Sequence, residues 1–459
     1  MLSRRWFLAS TASAALAGTC DPAASASGDF DIAVIGAGAA GIAAARRCAG
    51  HARTTVLEAS DRVGGRCVTD TANFGVPFDR GAQWLVAADV NPVVPLAKAS
   101  GLDIYPVSAS QRVRISRRYA RTGEMEDYLS AAVRAGRAIA EAGRKGDVAA
   151  ATVLPKDLAD WQNTVEFTTG PFAFGRDLAD LSNADLARAA EHDNGLLCRQ
   201  GLGTLITRLA GGLPVQLSAP VSKIDWSERN KIEIVTANGR VYARAVIVTV
   251  STGALSAGKL VFDPELPKRY IDAVAALPLG SRDRIAFELP GNPLGLAPDE
   301  LVFEKATSNH TAAILGNVHG TPLCTVEIGG KFAADLSAVG EGAMTAFALD
   351  WLTGLYGSDF RKAVGRSLAT RWNHHPWTLG AMSAARPGGQ WARAALTEPV
   401  RDRIFFAGEA THETLWGTVG GAWASGERAA DAALKKLGLA GGEASADARR
   451  PSRTSHHRR

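Results

Sequence analysis

Gly36, Gly38 and Gly41, in "DIAVIGAGAAG", stand at the G-x-G-x-x-G spacing that lets a backbone wrap a pyrophosphate. The first permits a tight turn and the second lets the chain approach the phosphates. The third lets helix and strand pack closely, so the phosphates meet a helix N-terminus. Ala39 and Ala40 lie between, at the helix start. Glu58 lies 17 residues beyond Gly41 and can accept ribose hydroxyls; an acid there argues against a 2′-phosphate and so against NADP. Just after it, in "EASDRVGGR", Gly64 and Gly65 let the chain pass close to a diphosphate and Arg66 brings positive charge to it.

Other chemistries fail on spacing. His412-Glu413 runs on to Thr-Leu-Trp, which is no HExxH zinc site. His374 and His375 are adjacent, so their side chains diverge. Cys20, Cys48, Cys67, Cys198 and Cys324 are widely spaced and form no CxxC, so no metal is expected and buried thiols are the reading. A G-x-S-x-G elbow and a Walker A loop are both missing.

The glycines need elements to carry them. "FDIAVIGAGAAGIAAARRCAG" reads strand, turn, alanine-rich helix, and "TTVLEAS" is a second short strand ending in Glu58, a βαβ opening. From Asn91 to about Gln200 the apolar spacing is mostly helical. Strands return over 213–250, where Asn238-Gly239 marks a hairpin. Residues 281–330 mix short strands and loops, "GAMTAFALDWLTGLYG" is helical, "DRIFFAGEA" is a last buried strand, and a closing helix stops at Gly438.

Composition sets the bounds. The 459 residues suffice for two or three domains, and the net charge of +5 sits partly at the ends, which gives no case for nucleic acid. Arg4 and Arg5 precede the apolar stretch Trp6–Ala17, too short for a stable membrane span, with Ala24-Ser25-Ala26 as a cleavage site. Residues 1–27 therefore read as a twin-arginine signal peptide, of the route that exports folded, cofactor-loaded proteins. Periplasmic or exported location without a membrane anchor is the expectation; Cys20 only weakly resembles a lipoprotein box. Residues 438–459 are rich in Gly, Ala, Ser and Arg and read as a disordered basic tail.

Beyond the glycines, the chain resembles the flavin amine oxidase family, which includes monoamine and polyamine oxidases. The resemblance runs through "EASDRVGGR", "FDRGAQWL", "APVSKI", "VIVTVSTGAL" and above all "FFAGEATHETLWGTVGGAWASGERAA". NAD dehydrogenases have no second phosphate clamp like Arg66. The resemblance implies a resident FAD gripped by Gly36, Gly38, Ala39, Ala40, Gly41, Glu58, Ala59, Gly64, Gly65 and Arg66. Gly81, Ala82, Gln83, Trp84 and Val221 would line it. Gly408-Glu409 would contact the ribityl-phosphate part, and the helix start at Thr418-Val419 would face the isoalloxazine and stabilise its reduced, anionic form.

Three positions depart from that family. Its usual lysine, which holds a water near the flavin, falls at Arg284, four residues after Gly280. Arginine stays charged and cannot act as a base; the alternative is a surface or salt-bridging residue beside Asp283. If the substitution is real, another electron acceptor than oxygen is favoured. Counted from Trp372, the two tyrosines that frame the substrate in monoamine oxidases fall at Met382 and Thr418. Trp372, Trp377 and Trp416 are the aromatic alternatives for a cation–π wall, with a core position the safer reading of Trp372. Ala381 stands where mammalian monoamine oxidases carry the flavin-linked cysteine, which implies non-covalent FAD.

The expected fold is α/β. A discontinuous, Rossmann-like FAD-binding domain takes residues 28–86, 201–280 and 396–437; an α+β substrate domain is built from insertions 87–200 and 281–395. The expected reaction is amine oxidation by hydride transfer to flavin N5, with Arg284, Met382, Thr418, Trp416 and Trp372 lining the pocket. The expected partners are a small-molecule amine and, as acceptor, oxygen or a periplasmic cytochrome or quinone; homodimerisation stays open. L-amino-acid oxidation or desaturation on the same fold, an NAD(P) enzyme, and a flavin-binding protein without catalysis are the rival readings.

Overall fold

Residues 29–35, "DFDIAVI", form the middle of an eight-stranded sheet, hydrogen-bonded in parallel to Gly239–Val248 on one side and Thr54–Leu57 on the other. Ile32, Ala33 and Val34 are fully buried, as a parallel strand covered on both faces requires. The computed structural model describes residues 29–107, 111–189 and 195–439; the expected leader, Cys20 and the tail beyond Leu439 lie outside the described residues.

The outer edge of Gly239–Val248 is shared. Its first half pairs antiparallel with Ile232–Thr236, while its end, Val246 to Val248, takes Ile404–Phe406 in parallel. The hairpin turn is Ala237-Asn238; Gly239 belongs to the strand, paired with Thr236 at φ +125°. The helix Ala39–Cys48 crosses between the first two strands and is covered in turn by the closing helix Val419–Leu437. That contact is close because both helices present small residues: a Cβ on Gly426 would stand 2.1 Å from the Ala40 carbonyl oxygen. Gly438, left-handed at φ +69°, ends the closing helix.

A second, seven-stranded sheet runs in the order Ser367–Ala369, Arg282–Glu288, Leu323–Gly329, Ala313–Gly316, Glu300–Glu304, Arg112–Ile115, Arg118–Tyr119. One expectation changes here. The stretch from Asn91 to Gln200 is not mostly helical throughout: it holds the strands Ile104–Pro106, Arg112–Ile115, Arg118–Tyr119 and Leu196–Cys198. Strands this short carry too little periodicity to read, and distant pairing (Arg112–Ile115 on Glu300–Glu304) decides them. Residues 281–330 mix short strands and loops as expected, and the four strands all belong to this one sheet. The overall class is α/β, with helices on the parallel sheet and the long helix Thr122–Gly143 among those accompanying the second. Among the described residues no helix is long and apolar enough to cross a membrane.

Candidate active site

One cleft, with about 1830 Å³ of empty space including its open mouth, is walled by both sheets. One group of lining residues is Glu58, Ala59, Ser60, Pro220, Val221 and Lys259; another is Gly81 to Trp84, Arg282, Arg284, Trp372, His375, Trp377 and Met382. Between them run Gly36, Gly38, Ala39, Ala40, Gly64, Gly65, Arg66, Gly408, Glu409, Thr418 and Val419. Of the residues expected to grip the cofactor or line the pocket, Gly41 and Trp416 are the two not in the wall.

The glycine turn is built by close approach. Gly36 has φ +103°, and a Cβ there would lie 2.6 Å from Thr249 Oγ1. Gly38 starts the first helix with no side-chain cap and bridges to Gly64. A Cβ on Gly65 would lie 3.3 Å from the Gly38 α-carbon. Gly41 sits behind the wall, where a Cβ would be 1.9 Å from the Gly36 carbonyl oxygen, so its role is packing. Uncapped amide groups at a helix start facing a cleft are a ready site for a diphosphate. The closing helix also begins at the cleft. Here the Thr418 hydroxyl accepts from the Gly421 amide at 3.0 Å and donates to the Leu415 carbonyl at 2.6 Å. Thr418 thus stands in the wall with its hydroxyl committed as a helix cap.

Glu58 follows the strand Thr54–Leu57; its oxygens accept from the Ala37 amide at 2.6 Å and the Ser60 amide at 2.8 Å. Each oxygen keeps a further lone pair for a hydroxyl donor. Arg66 Nη1 donates to the Ala381 carbonyl at 2.7 Å and to Glu409 Oε1 at 2.9 Å. Glu409 also accepts from the Ser383 amide and hydroxyl and from the Gly417 amide. Burial would raise its carboxyl, but Arg66, Ser383 and Arg393 outweigh that and hold it low. Behind Ser383 lies a fully buried pair that no sequence pattern announced: Arg393 bonds both oxygens of Asp185 at 2.7 Å and also reaches Ser383 Oγ and the Ala410 carbonyl.

These features fit a flavin dinucleotide. Arg66 is aimed by Glu409 and Ala381 yet keeps nitrogens for phosphate, and two helix starts border the same cleft. Gln83 stands in the same wall, 4% exposed, with its Oε1 buried and without a hydrogen-bond partner among the described residues.

In the other sheet, Arg284 is buried. It is not a surface residue, and its ionic partner is Glu327 (Nε to Oε1, 3.2 Å), not the neighbouring Asp283. Strand alternation explains this: Asp283 faces away, accepting from the Thr370 hydroxyl and the Trp372 amide at 2.9 Å. Burial pushes the Asp283 carboxyl up to about 6. Arg284 Nη1 donates to the carbonyls of Asp79 (2.8 Å) and Gly81. Arg282, missed in the sequence, shares Glu327; burial would raise that carboxyl, but the two guanidiniums hold it at about 2. A lone glutamate in the apolar run "LCTVEIGG" was the available signal for it.

The tryptophans exchange roles. Trp372 stands in the wall, fixed by Nε1 donating to the Arg80 carbonyl at 2.9 Å. Trp416 is the core residue, 1% exposed, with Phe174 at 4.6 Å and the Arg393 guanidinium 4.3 Å from its ring centre. Trp377 is at the wall and 37% exposed; Met382 faces Gly417. His375 is also in the wall, its imidazole pushed down by burial and by Arg62 and Arg80. Among the described residues no His/Cys/Asp/Glu group could hold a metal ion.

Comparison with known proteins gives a consistent picture. The family described as flavin containing amine oxidoreductase matches residues 39–434. Probable polyamine oxidase 4 of Arabidopsis thaliana is 28% identical over 430 residues, covering 86% of this chain and 84% of that protein. A putrescine oxidase solved with putrescine bound superposes with a TM-score of 0.75 at 21% identity, covering 89% of this chain and 99% of that one. Cyclohexylamine oxidase from Brevibacterium oxydans IH-35A gives 0.74 at 21% identity over 90% and 100%. At these identities the two structural likenesses speak for the fold.

Proposed function

The chain belongs to the flavin-containing amine oxidoreductases, and from that premise we propose that it oxidises a small amine to an imine, which water hydrolyses to a carbonyl compound and an amine or ammonia. FAD, bound without a covalent link, supplies the two-electron sink that takes hydride from the amine's α-carbon. The observation that carries the reading is the continuity of the cleft, from the glycine turn and Arg66 to the strand bearing Arg284.

The chain's own groups have distinct tasks. Arg66, held by Glu409, and the two helix starts grip negative charge. Arg282 and Arg284, sharing one carboxylate, make the substrate wall cationic, which lowers the pKa of an incoming ammonium and favours the neutral amine whose lone pair drives hydride loss. Trp372, fixed through Asp283 and the Arg80 carbonyl, offers a flat apolar face. Two facts support a non-covalent cofactor. Ala381 has no nucleophile, and the Cys67 thiol in the wall is pushed up to about 12 by burial, so it offers no thiolate.

The acceptor is oxygen, yielding hydrogen peroxide, or a periplasmic carrier; Arg284, permanently charged where the family has lysine, favours the carrier. Arg4-Arg5 argue for export in the folded, loaded state, and replacing both by lysine should retain the protein in the cytoplasm. The central test is a yellow purified protein that releases FAD on acid precipitation and is bleached anaerobically by amines. A colourless protein after refolding with FAD sinks the reading. Readmission of oxygen, against addition of cytochrome c, identifies the acceptor, and rapid reoxidation by oxygen alone removes the argument from Arg284.

A further inference from the structure

Arg282 and Arg284 lie two residues apart on the strand Arg282–Glu288 and so face the same side, into the cleft. Between them they have one carboxylate. Arg282 sends Nε and Nη2 to Glu327 Oε2 at 3.0 and 2.5 Å, and Arg284 sends Nε to Oε1. Arg284 Nη1 is bound to the Asp79 and Gly81 carbonyls. Arg282 Nη1 and Arg284 Nη2 therefore have no hydrogen-bond partner among the described residues. The cluster keeps one net positive charge although its side chains are only 15%, 7% and 1% exposed. A desolvated charge of this kind is costly until a counter-ion meets it.

The described residues offer no such counter-ion at this wall of the cleft. The lining carboxylates are Glu58 and Glu409; both oxygens of each already accept protein hydrogen bonds, and Glu409 is paired to Arg66. A substrate with several ammonium groups would meet like charge at this wall, since Glu58 stands beside the glycine turn and Glu409 is held by Arg66.

We propose that the substrate carries a carboxylate beside its reacting amine, received by the free nitrogens of Arg282 and Arg284, so that the enzyme acts on an amino acid or a similar amino carboxylate rather than on a polyamine. The inference rests on reading the cleft as a site of amine oxidation. A guanidinium fork matches the planar carboxylate, and the two free nitrogens come from neighbouring forks fixed by a common glutamate.

The test uses the flavin-loaded protein. Phenylalanine, phenylalaninamide and phenethylamine are compared as anaerobic reductants, and benzoate and phenylphosphonate are titrated as non-reacting anions by their effect on the flavin spectrum. Expected are reduction by the amino acid at concentrations at least about tenfold below the other two, and benzoate binding tighter than phosphonate. Arg282→Met leaves Glu327 paired to Arg284, so the fold keeps its ion pair. It should weaken benzoate binding and amino-acid affinity about 10- to 100-fold, the worth of a charge-assisted hydrogen bond, with flavin content retained. Equal or better reduction by phenethylamine, or benzoate binding indifferent to Arg282→Met, overturns the proposal while leaving amine oxidation standing. If benzoate binds through Arg282 yet nothing in the panel bleaches the flavin, the anion site stands and amine oxidation falls.

Discussion

Asp185→Asn replaces an oxygen by a nitrogen and changes almost no volume, yet it should be among the most damaging single changes in the chain. Asp185 and Arg393 are each fully buried and joined by two bonds of 2.7 Å; Asp185 also accepts from the Ala385 amide. The asparagine takes away the guanidinium's directly bonded counter-charge, a loss of about 3–5 kcal/mol. Unfolding entropy near 2.1 cal/mol/K per residue, over the roughly 400 described residues, gives about 0.85 kcal/mol/K and a Tm fall of ~4–6 °C. Calorimetry of the flavin-free protein reads it. The control is Asp431→Asn, whose partner Arg47 is 57% exposed and which should move Tm by under about 1 °C. The double change Asp185→Leu with Arg393→Met removes both charges and should unfold closer to wild type than Asp185→Asn alone. Equal shifts for Asp185→Asn and Asp431→Asn, or a double variant worse than the single, would refute the assignment of the cost to an orphaned buried charge.

Gly41→Ala forces a methyl group to 1.9 Å from the Gly36 carbonyl oxygen and should yield protein with little or no flavin by its absorbance ratio. Gly136→Ala, with open space around it in a helix, should keep full flavin. Trp372→Phe should raise KM for the reducing substrate severalfold, whereas Trp416→Phe should lower Tm and leave KM alone; the reverse pattern would put the wrong tryptophan in the wall. For pH, the Asp283 carboxyl rises from its ordinary 3.8 to about 6 in the folded chain, so between those values the folded state holds a proton the unfolded state has lost. Stability from this group is thus present below about pH 4 and lost as pH rises through 6. Urea midpoints at pH 4.5 and 6.5 should show a wild-type minus Asp283→Asn difference that shrinks with rising pH; a constant difference rejects it.

The parts of the site that could be read from the sequence are those built locally. Gly36, Gly38, Gly41 and Glu58 belong to one βαβ unit, where spacing alone sets the turn, and Gly64 to Arg66 follow within a few residues. What stayed hidden depends on partners far along the chain. Arg284 meets Glu327 43 positions away and the Gly81 carbonyl 203 away, and Asp185 meets Arg393 208 away. No local pattern reports such pairings. The Trp416 error has another cause: proximity to a cofactor motif suggested the pocket, but its ring packs on Phe174 and the Arg393 guanidinium in the core instead.

Arg284 ties its surroundings together. It bridges the strand pair Thr69–Asp70 and Phe78–Asp79 and the Gly81 turn to the second sheet, through two carbonyls on one side and Glu327 on the other. A lysine at 284 has one ammonium where the guanidinium has separate, fixed nitrogens, so it cannot serve Glu327 and both carbonyls in the same geometry. Arg284→Lys therefore does not preserve this set of contacts. It loosens the attachment of Gly81, on which Trp372 packs closely enough that a Cβ at 81 would stand 2.8 Å from its ring. The arginine, its glutamate and the tryptophan wall form one unit, and the chemistry of the cleft has to be tested on that unit rather than on position 284 alone.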